Sequence, residues 1–145
     1  MNVDEAVELA GEHARRWGLS WEDVAVSHVG RERSCWRLFV TTHFLLELET
    51  GAGPASVCVD VATRAVVQFV FKPTPGSGQH MLPLWAAFPG YSSVTIGWRM
   101  GTGEAYRHAW HAWYGALDNA EQARYRDRFP PPDDEANCWE GFYEW

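Results

Sequence analysis

Residues 57–71 read VCVDVATRAVVQFVF, and this stretch decides the fold. In its first part the valines alternate with other residues, which is the two-residue period of a half-buried strand. Residues 66–71 form a second β-rich run, and the short connection at residues 62–64 predicts a hairpin between the two. The stretch therefore favours an antiparallel sheet.

The sequence before the hairpin adds further strands. Residues 24–29 alternate, residues 36–41 form another β-rich run, and the polar stretch 30–34 between them predicts a turn. Residues 43–50 fit either a short helix or a continuation of the preceding strand. The Gly-Ala-Gly-Pro of residues 51–54 ends that element in either case.

Residues 3–17 have the pattern of an amphipathic helix. Apolar residues recur on one face at helical spacing: Val3, Ala6, Val7, Ala10, Ala14 and Trp17. Asn2 and Glu5 predict a capping box at its start, and Gly18 predicts its end. One helix followed by an antiparallel meander indicates the α+β class, with the helix packed across one face of the sheet.

Three short pieces of this first half recur together in a known family. They are the aromatic strand WRLFV at residues 36–40, the Gly-Ala-Gly-Pro of 51–54 and the VDVAT of 59–63. In this combination the chain resembles the YrhB-type immunity proteins over residues 1–72, with Arg64 where the family usually has glycine. The resemblance implies a small cystatin-like sheet with a helix, and a role in neutralising a toxin partner. It assigns no functional residue.

The second half of the chain is predicted to be mainly helical. Residues 93–100 predict one more strand, and Gly101-Thr102-Gly103 predicts a turn into a helix at residues 104–116. Asp118 and Glu121 predict a second capping box, which opens a short helix to Arg128. The Gly-Thr-Gly turn offers backbone N–H groups to an anion, but a plain turn and cap explains it better.

Prolines and glycines punctuate residues 72–90, which predicts a long loop there. The predicted organisation is thus a helix and meander over 1–72, a loop over 73–92, and a strand with a helical, aromatic-rich extension over 93–145. A domain boundary within the loop is an alternative. We favour one domain over 1–145, because the second part holds too few strands for a separate core.

Charge and cysteine content narrow the class of protein. The formal charge is −7, from 19 acidic and 12 basic residues, which argues against a nucleic-acid binder and suits a basic protein partner. The three cysteines have no close spacing, which argues against a disulfide framework. The chain shows no signal-peptide pattern and no apolar run of membrane-spanning length. We therefore expect a cytoplasmic protein without a membrane contact.

Two groups of side chains deserve testing as chemical sites. Glu104, His108 and His111 fall on one helix face and are possible zinc ligands, with Cys138 as a fourth. We favour a solvated helix face instead, and expect no metal and no cofactor. The other group is a Cys–His nucleophile pair, drawn from two cysteines and two histidines: Cys35, Cys58, His28 and His43. Inert packing of buried cysteine is the favoured interpretation.

Aromatic residues concentrate at the end of the chain, where residues 98–145 hold five of the nine tryptophans. These rings either complete the core or form an exposed anchor patch with the loop at residues 81–88, bordered by acidic residues. The predicted partner-binding residues are Trp85, Phe88, Asp133, Asp134, Glu135, Trp139, Phe142 and Trp145.

The predicted function is that of a non-enzymatic protein-binding module. In this hypothesis the protein is an immunity protein that blocks a bacterial toxin by steric occlusion, helped by charge steering. The alternative is a small-ligand binding protein or enzyme with a pocket in a curled sheet, lined by Trp36, Trp98 and His28.

Overall fold

The computed structural model describes residues 1–36, 39–133 and 137–144, without the side chains of residues 34–36, 39 and 40. Contacts between residues divide the chain into two compact units, Met1–Leu82 and Pro83–Trp145. The division falls within residues 72–90, where the sequence offered a domain boundary as the alternative. The single domain over 1–145 stays a prediction.

Helix α1, Val3–Arg16, opens the first unit. The predicted capping box is present: the Glu5 backbone N–H donates to Asn2 Oδ1 at 2.9 Å, and the Asn2 backbone N–H donates to Glu5 Oε2 at 3.0 Å. These two bonds satisfy N–H groups that have no partner within the helix. The face toward the sheet carries only small side chains at its centre, so α1 can lie close to the strands; the buried alanines are Ala6, Ala10 and Ala14.

Four antiparallel strands follow in the order β1-β2-β3-β4. They are β1 Ala25–Trp36, β2 Phe39–Thr50, β3 Gly53–Asp60 and β4 Val66–Phe71. Helix α1 packs on β2, β3 and β4. The inward face of these strands forms the core, with buried side chains that include Leu46, Leu48, Val57, Val59, Phe69 and Phe71. The α+β prediction is thus confirmed.

The hairpin at residues 57–71 forms as its sequence predicts. Val57 pairs with Phe69 across β3 and β4. Asp60 holds the connection, because its Oδ1 accepts from the Thr63 backbone N–H at 2.8 Å and from Thr63 Oγ1 at 3.0 Å. Arg64 takes a left-handed backbone with φ of 58°, a conformation that glycine adopts more readily.

One prediction for the first strands of the sheet is corrected, and one open alternative is decided. The prediction of a turn at residues 30–34 is wrong. Strand β1 continues through these residues, with Gly30 opposite Leu45 and Arg33 opposite Thr42. The side chains of Arg31, Glu32 and Arg33 are exposed along the outermost strand, so they need no turn to reach water. The ambiguous residues 43–50 belong to β2, which is paired on both sides by β1 and β3.

The second unit contains helices α2 Leu84–Ala87, α3 Gly101–Gly115 and α4 Asn119–Arg128, with short 3-10 helices at Ile96–Arg99 and Phe142–Glu144. The Asp118–Glu121 capping box at the start of α4 is present. The predicted turn at residues 101–103 is wrong, because these residues form the first turn of α3. Among the described residues, no helix is long and apolar enough to cross a membrane.

The strand predicted at residues 93–100 is also wrong. The Ser92 backbone N–H donates to Thr95 Oγ1 at 3.1 Å, and the Trp98 indole N–H donates to the Ser92 carbonyl at 2.8 Å. These local bonds fold the segment back on itself, because serine and threonine side chains compete with a strand ladder for backbone groups. The alternating Val94 and Ile96 therefore face water rather than a sheet core.

Aromatic rings fill the core of the second unit. Trp85 meets Trp139 edge to face at 5.4 Å and Phe142 at 5.2 Å between ring centroids. The Trp110 indole N–H donates to the Tyr125 hydroxyl at 3.0 Å, which ties α3 to α4. Of the two interpretations of the aromatic residues, core packing holds for these rings.

Candidate functional site

A pocket of about 300 Å³ lies in the second unit, between the 3-10 helix at Ile96–Arg99 and α3. Its apolar wall consists of Leu84, Trp98, Trp139 and Phe142. Its basic side chains are Arg99, Arg107 and His111. We call it the cationic pocket.

Helical spacing brings the basic residues of α3 to the pocket. Gly103, Arg107 and His111 are four residues apart, so they lie on one face of the helix. A Cβ atom on Gly103 would collide with the carbonyl oxygen of Gly97, which shows how closely the 3-10 helix approaches α3. This close approach places Trp98 and Arg99 beside Arg107 and His111 in one pocket.

The hydroxyl groups at the pocket wall are engaged within the protein. Ser93 Oγ donates to the Cys138 carbonyl at 2.6 Å, and Thr95 Oγ1 lies 3.1 Å from Ser92 Oγ. These bonds fix the wall. The basic side chains Arg99 and Arg107 form no such bond within the described part of the chain.

The basic side chains have no counter-charge in the part of the chain that the structure describes. Arg107 Nε is buried without a hydrogen-bond partner, and no described carboxylate lies within ion-pair distance of Arg99 or Arg107. Burial, then the charges of Arg107 and His108, hold the pKa of His111 below its usual value. The pocket is a positive site in an acidic protein, and it suits an anion.

Exposed apolar side chains border this pocket. Val94 is 79%, Ile96 69% and Met100 57% exposed. We call residues 94–100 the apolar segment. Val94 and Trp98 belong to both the segment and the pocket wall.

The predicted partner-binding aromatic residues lie elsewhere than expected. Trp85, Phe88, Trp139 and Phe142 are at most 7% exposed, so they are core residues and not an exposed anchor patch. Their large apolar area is buried by neighbouring rings of the second unit. The expectation of exposed anchors at these four positions is corrected.

The acidic residues of the predicted patch fall partly outside the described residues. Asp133 is exposed and lines a second, wider cleft of about 730 Å³ together with Cys138 and Glu140. Asp134, Glu135 and Trp145 lie outside the described residues. The contact of these acidic side chains with a partner stays a prediction.

The residues considered as zinc ligands do not lie together in one site. His108 Nε2 lies 3.6 Å from Glu104 Oε1 on the exposed side of α3, whereas His111 lines the cationic pocket. Cys138 lines the wider cleft. Over residues 1–36, 39–133 and 137–144, no three His, Cys, Asp or Glu side chains are grouped to hold a metal ion.

Among the described side chains, Cys58 forms no hydrogen bond with His28 or His43. The register places His43 opposite Asp60, and His43 Nε2 lies 3.4 Å from Asp60 Oδ2. Burial raises the pKa of the Cys58 thiol to about 11, helped by the charges of Glu32 and Asp60, so the thiol stays protonated at neutral pH. The side chain of Cys35 lies outside the description.

Two of the residues predicted to line a pocket in a curled sheet, His28 and Trp98, belong to different units. Trp98 lines the helical cationic pocket of the second unit, and His28 is exposed on β1 of the first unit. The Trp36 side chain lies outside the description. The pocket near Trp98 is built from helices and the segments between them, with no sheet residue among its described lining residues.

Sequence reasoning missed Arg99 and Arg107. Both resemble ordinary surface charges, because an arginine on a helix is usually solvated. The available signal was the spacing of four residues that links Gly103, Arg107 and His111. This spacing indicates a pocket only when it is known that the 3-10 helix at Ile96–Arg99 packs against the same face of α3.

Comparisons with known proteins give no relative for this chain. No protein-family model, no curated protein and no solved structure matches it. The resemblance to the YrhB-type immunity proteins and the cystatin-like form of the sheet stay predictions.

Proposed function

We propose that this chain is a non-enzymatic protein-binding module that contacts its partner through the apolar segment. The observation that carries the proposal is the exposure of Val94, Ile96 and Met100 within seven residues. Grouped apolar side chains at a surface mark sites of protein contact, whereas single ones are ordinary.

Local packing supports this use of the apolar segment, because it holds the segment in one conformation. Trp98 is 4% exposed, and its indole bond to the Ser92 carbonyl anchors the middle of the segment. The Gly97 backbone lies against the Tyr91 ring, where a side chain would not fit. A surface ordered before binding loses less conformational entropy when the partner arrives.

We further propose that the module acts as an immunity protein in the cytoplasm. The resemblance over residues 1–72 and the net charge of −7 support this role. An acidic protein attracts a basic toxin at long range and then covers its active surface, which requires no catalytic group. The protonated Cys58 thiol agrees with a non-enzymatic role.

The test compares partner capture by matched variants. The tagged protein, expressed at its native level, should recover a near-stoichiometric partner from host extract. Ile96→Glu should abolish capture, because it places a charge in an apolar contact. Val26→Glu is the control: Val26 is 41% exposed on β1, outside the apolar segment. Loss of capture with Val26→Glu and not with Ile96→Glu would refute the segment as the contact.

The immunity role needs its own readout. The recovered partner, expressed alone, should arrest growth of a host cell, and co-expression of this chain should restore growth. Rescue should fail with Ile96→Glu. A partner that is harmless when expressed alone would leave the binding module standing and reject the immunity role.

A further inference from the structure

We propose that the cationic pocket is a binding site for a small organic anion, in which a carboxylate is attached to an aromatic or apolar body. This goes beyond the proposed function, because the pocket needs no protein partner to be filled. The pocket combines basic and apolar walls, and each wall selects one part of such a ligand.

The basic part of the pocket calls for an acceptor. Arg107 Nε is buried without a partner, although nearly all buried polar groups in folded proteins are hydrogen-bonded. An unsatisfied buried donor reduces stability, and the reduction is larger for a charged group. A carboxylate supplies two acceptor oxygens in the plane that a guanidinium fork prefers. Arg99 and His111 add further donors in the same pocket.

The apolar part of the pocket selects against a bare inorganic ion. Val94, which is 79% exposed, and the edges of the otherwise buried Trp98 and Trp139 rings form an apolar wall that chloride or phosphate leaves uncovered. An aromatic body covers this surface and removes it from water. The ligand therefore carries an aromatic or apolar body together with its acid group.

The size of the pocket limits the ligand further. A volume of about 300 Å³ lies at the lower end of the range for small-molecule sites, roughly 300–1,000 Å³. This favours a ligand with a single ring system over a nucleotide. The same chemistry occurs in a free aromatic acid and at the C-terminus of a peptide that ends in an aromatic residue.

The first experiment is titration calorimetry with phenylacetate and its neutral amide, phenylacetamide. We expect the acid to bind at least tenfold more tightly, since the two probes differ mainly in charge. NMR spectra of the imidazole groups should show His111 shifting as the acid saturates the protein. Equal affinity for acid and amide, or no binding of the acid, would refute the site.

Variants locate the binding. Arg107→Met keeps the apolar stem of the side chain and should weaken phenylacetate at least tenfold. Arg124→Met is the matched control, since Arg124 is exposed on α4 and does not line the pocket. If Arg107→Met fails to fold by circular dichroism, Arg99→Met gives the same test. Binding that both pocket variants leave unchanged would mean adventitious association and overturn the proposal.

Two further probes separate the sources of the ligand. N-acetyltryptophan, which imitates a peptide C-terminus, is compared with phenylacetate for affinity. Whichever acid binds more tightly identifies the source, while both must lose affinity with Arg107→Met. Inorganic phosphate that binds as tightly as either acid would show a simple anion site and refute the organic ligand.

Discussion

Gly103 and Gly97 lie so close together that a Cβ atom on Gly103 would collide with the Gly97 carbonyl oxygen. This contact joins the start of α3, which carries Arg107, to the 3-10 helix, which carries Arg99, and both arginines line the cationic pocket. The pocket and the apolar segment both depend on it.

Gly103→Ala should therefore destabilise the second unit. We expect a loss of about 1–3 kcal/mol in the free energy of unfolding, because backbone atoms would have to move apart. Urea unfolding measures the loss, and calorimetry should show weaker phenylacetate binding. Gly115→Ala is the matched control at the other end of α3, where no atom lies within 4 Å of the new methyl group. Equal effects of the two substitutions would contradict the tight contact.

The hydrogen bond between Trp110 and Tyr125 should contribute more to stability than a surface bond. Tyr125→Phe leaves the Trp110 N–H buried without its partner, which should cost about 1–3 kcal/mol. Tyr114→Phe is the control, because the Tyr114 hydroxyl accepts from Arg126 at an exposed position. Urea midpoints followed by near-ultraviolet circular dichroism measure both. A larger loss for Tyr114→Phe would contradict this account.

Asp60 should make the stability of the first unit sensitive to acid. The hydrogen bond that Asp60 accepts from the Thr63 backbone N–H lowers the pKa of the Asp60 carboxyl. Burial opposes this shift, whereas the Thr63 hydroxyl and His43 add to it. A carboxyl with a lowered folded-state pKa stabilises the fold above its unfolded value of about 3.9. This contribution disappears as the pH falls through the folded value.

The measurement for Asp60 compares Asp60→Asn with the native chain at several pH values. The stability difference should be largest at pH 6–7 and should shrink below about pH 4. Glu49→Gln, at an exposed position of β2 in the same unit, controls for general charge effects. A difference that stays constant down to pH 2 would show that the carboxylate form is not what stabilises the turn.

The Cys58 thiol should react slowly. A pKa of about 11, against an ordinary value of 9.0, leaves roughly a hundredfold less thiolate at pH 8 than in an unfolded chain. Peptide-level mass spectrometry after iodoacetamide treatment measures its alkylation in the native and urea-unfolded protein. Native alkylation as fast as in urea would contradict the burial of this thiol.

His111 should couple ligand binding to protons. Because its pKa is lowered, protonation of His111 opposes folding: the free protein loses stability as the pH falls from about 6.5 toward the folded value, and above about pH 6.5 this penalty is absent. Arg107 and His108 on α3, and Arg99 on the 3-10 helix, are the charged groups near it. A bound carboxylate should raise the pKa of His111.

Phenylacetate should accordingly bind more tightly at pH 5.5 than at pH 7.5, and His111→Gln should remove most of that difference. Calorimetry at the two pH values gives the affinities, and an NMR titration of the ring gives the pKa with and without ligand. A pKa unmoved by saturating ligand would place the carboxylate away from His111.

The elements that were predicted correctly are those that depend on residues close together in the sequence. The Asn2–Glu5 capping box and the hairpin at residues 57–71 form because each depends on neighbouring side chains. The prediction of a strand at residues 93–100 was wrong, because alternation does not provide a neighbouring strand to pair with. The bond from the Ser92 backbone N–H to Thr95 closes a turn instead. An alternating pattern without a pairing strand is thus a weaker predictor of local structure than a serine or threonine that can hydrogen-bond to the nearby backbone.

The cationic pocket could not be predicted from the sequence for a different reason. Arg99 and Arg107 acquire their role from the approach of Gly97 to Gly103, which is a contact between backbones. No property of an arginine in the sequence reports whether a carboxylate will lie beside it. Likewise, the sequence shows that aromatic residues are frequent near the end of the chain, but only the structure shows which of their rings are buried.

Strand β1 is the first strand of the described sheet, and its middle carries Arg31, Glu32 and Arg33, all exposed. Unpaired backbone groups along an outer strand invite a strand from another molecule, and charged side chains discourage that addition. The residues that resemble a turn in the sequence thus act against self-association. Replacing all three with threonine would keep the strand and remove this protection, so concentrated solutions of that variant should form β-rich aggregates.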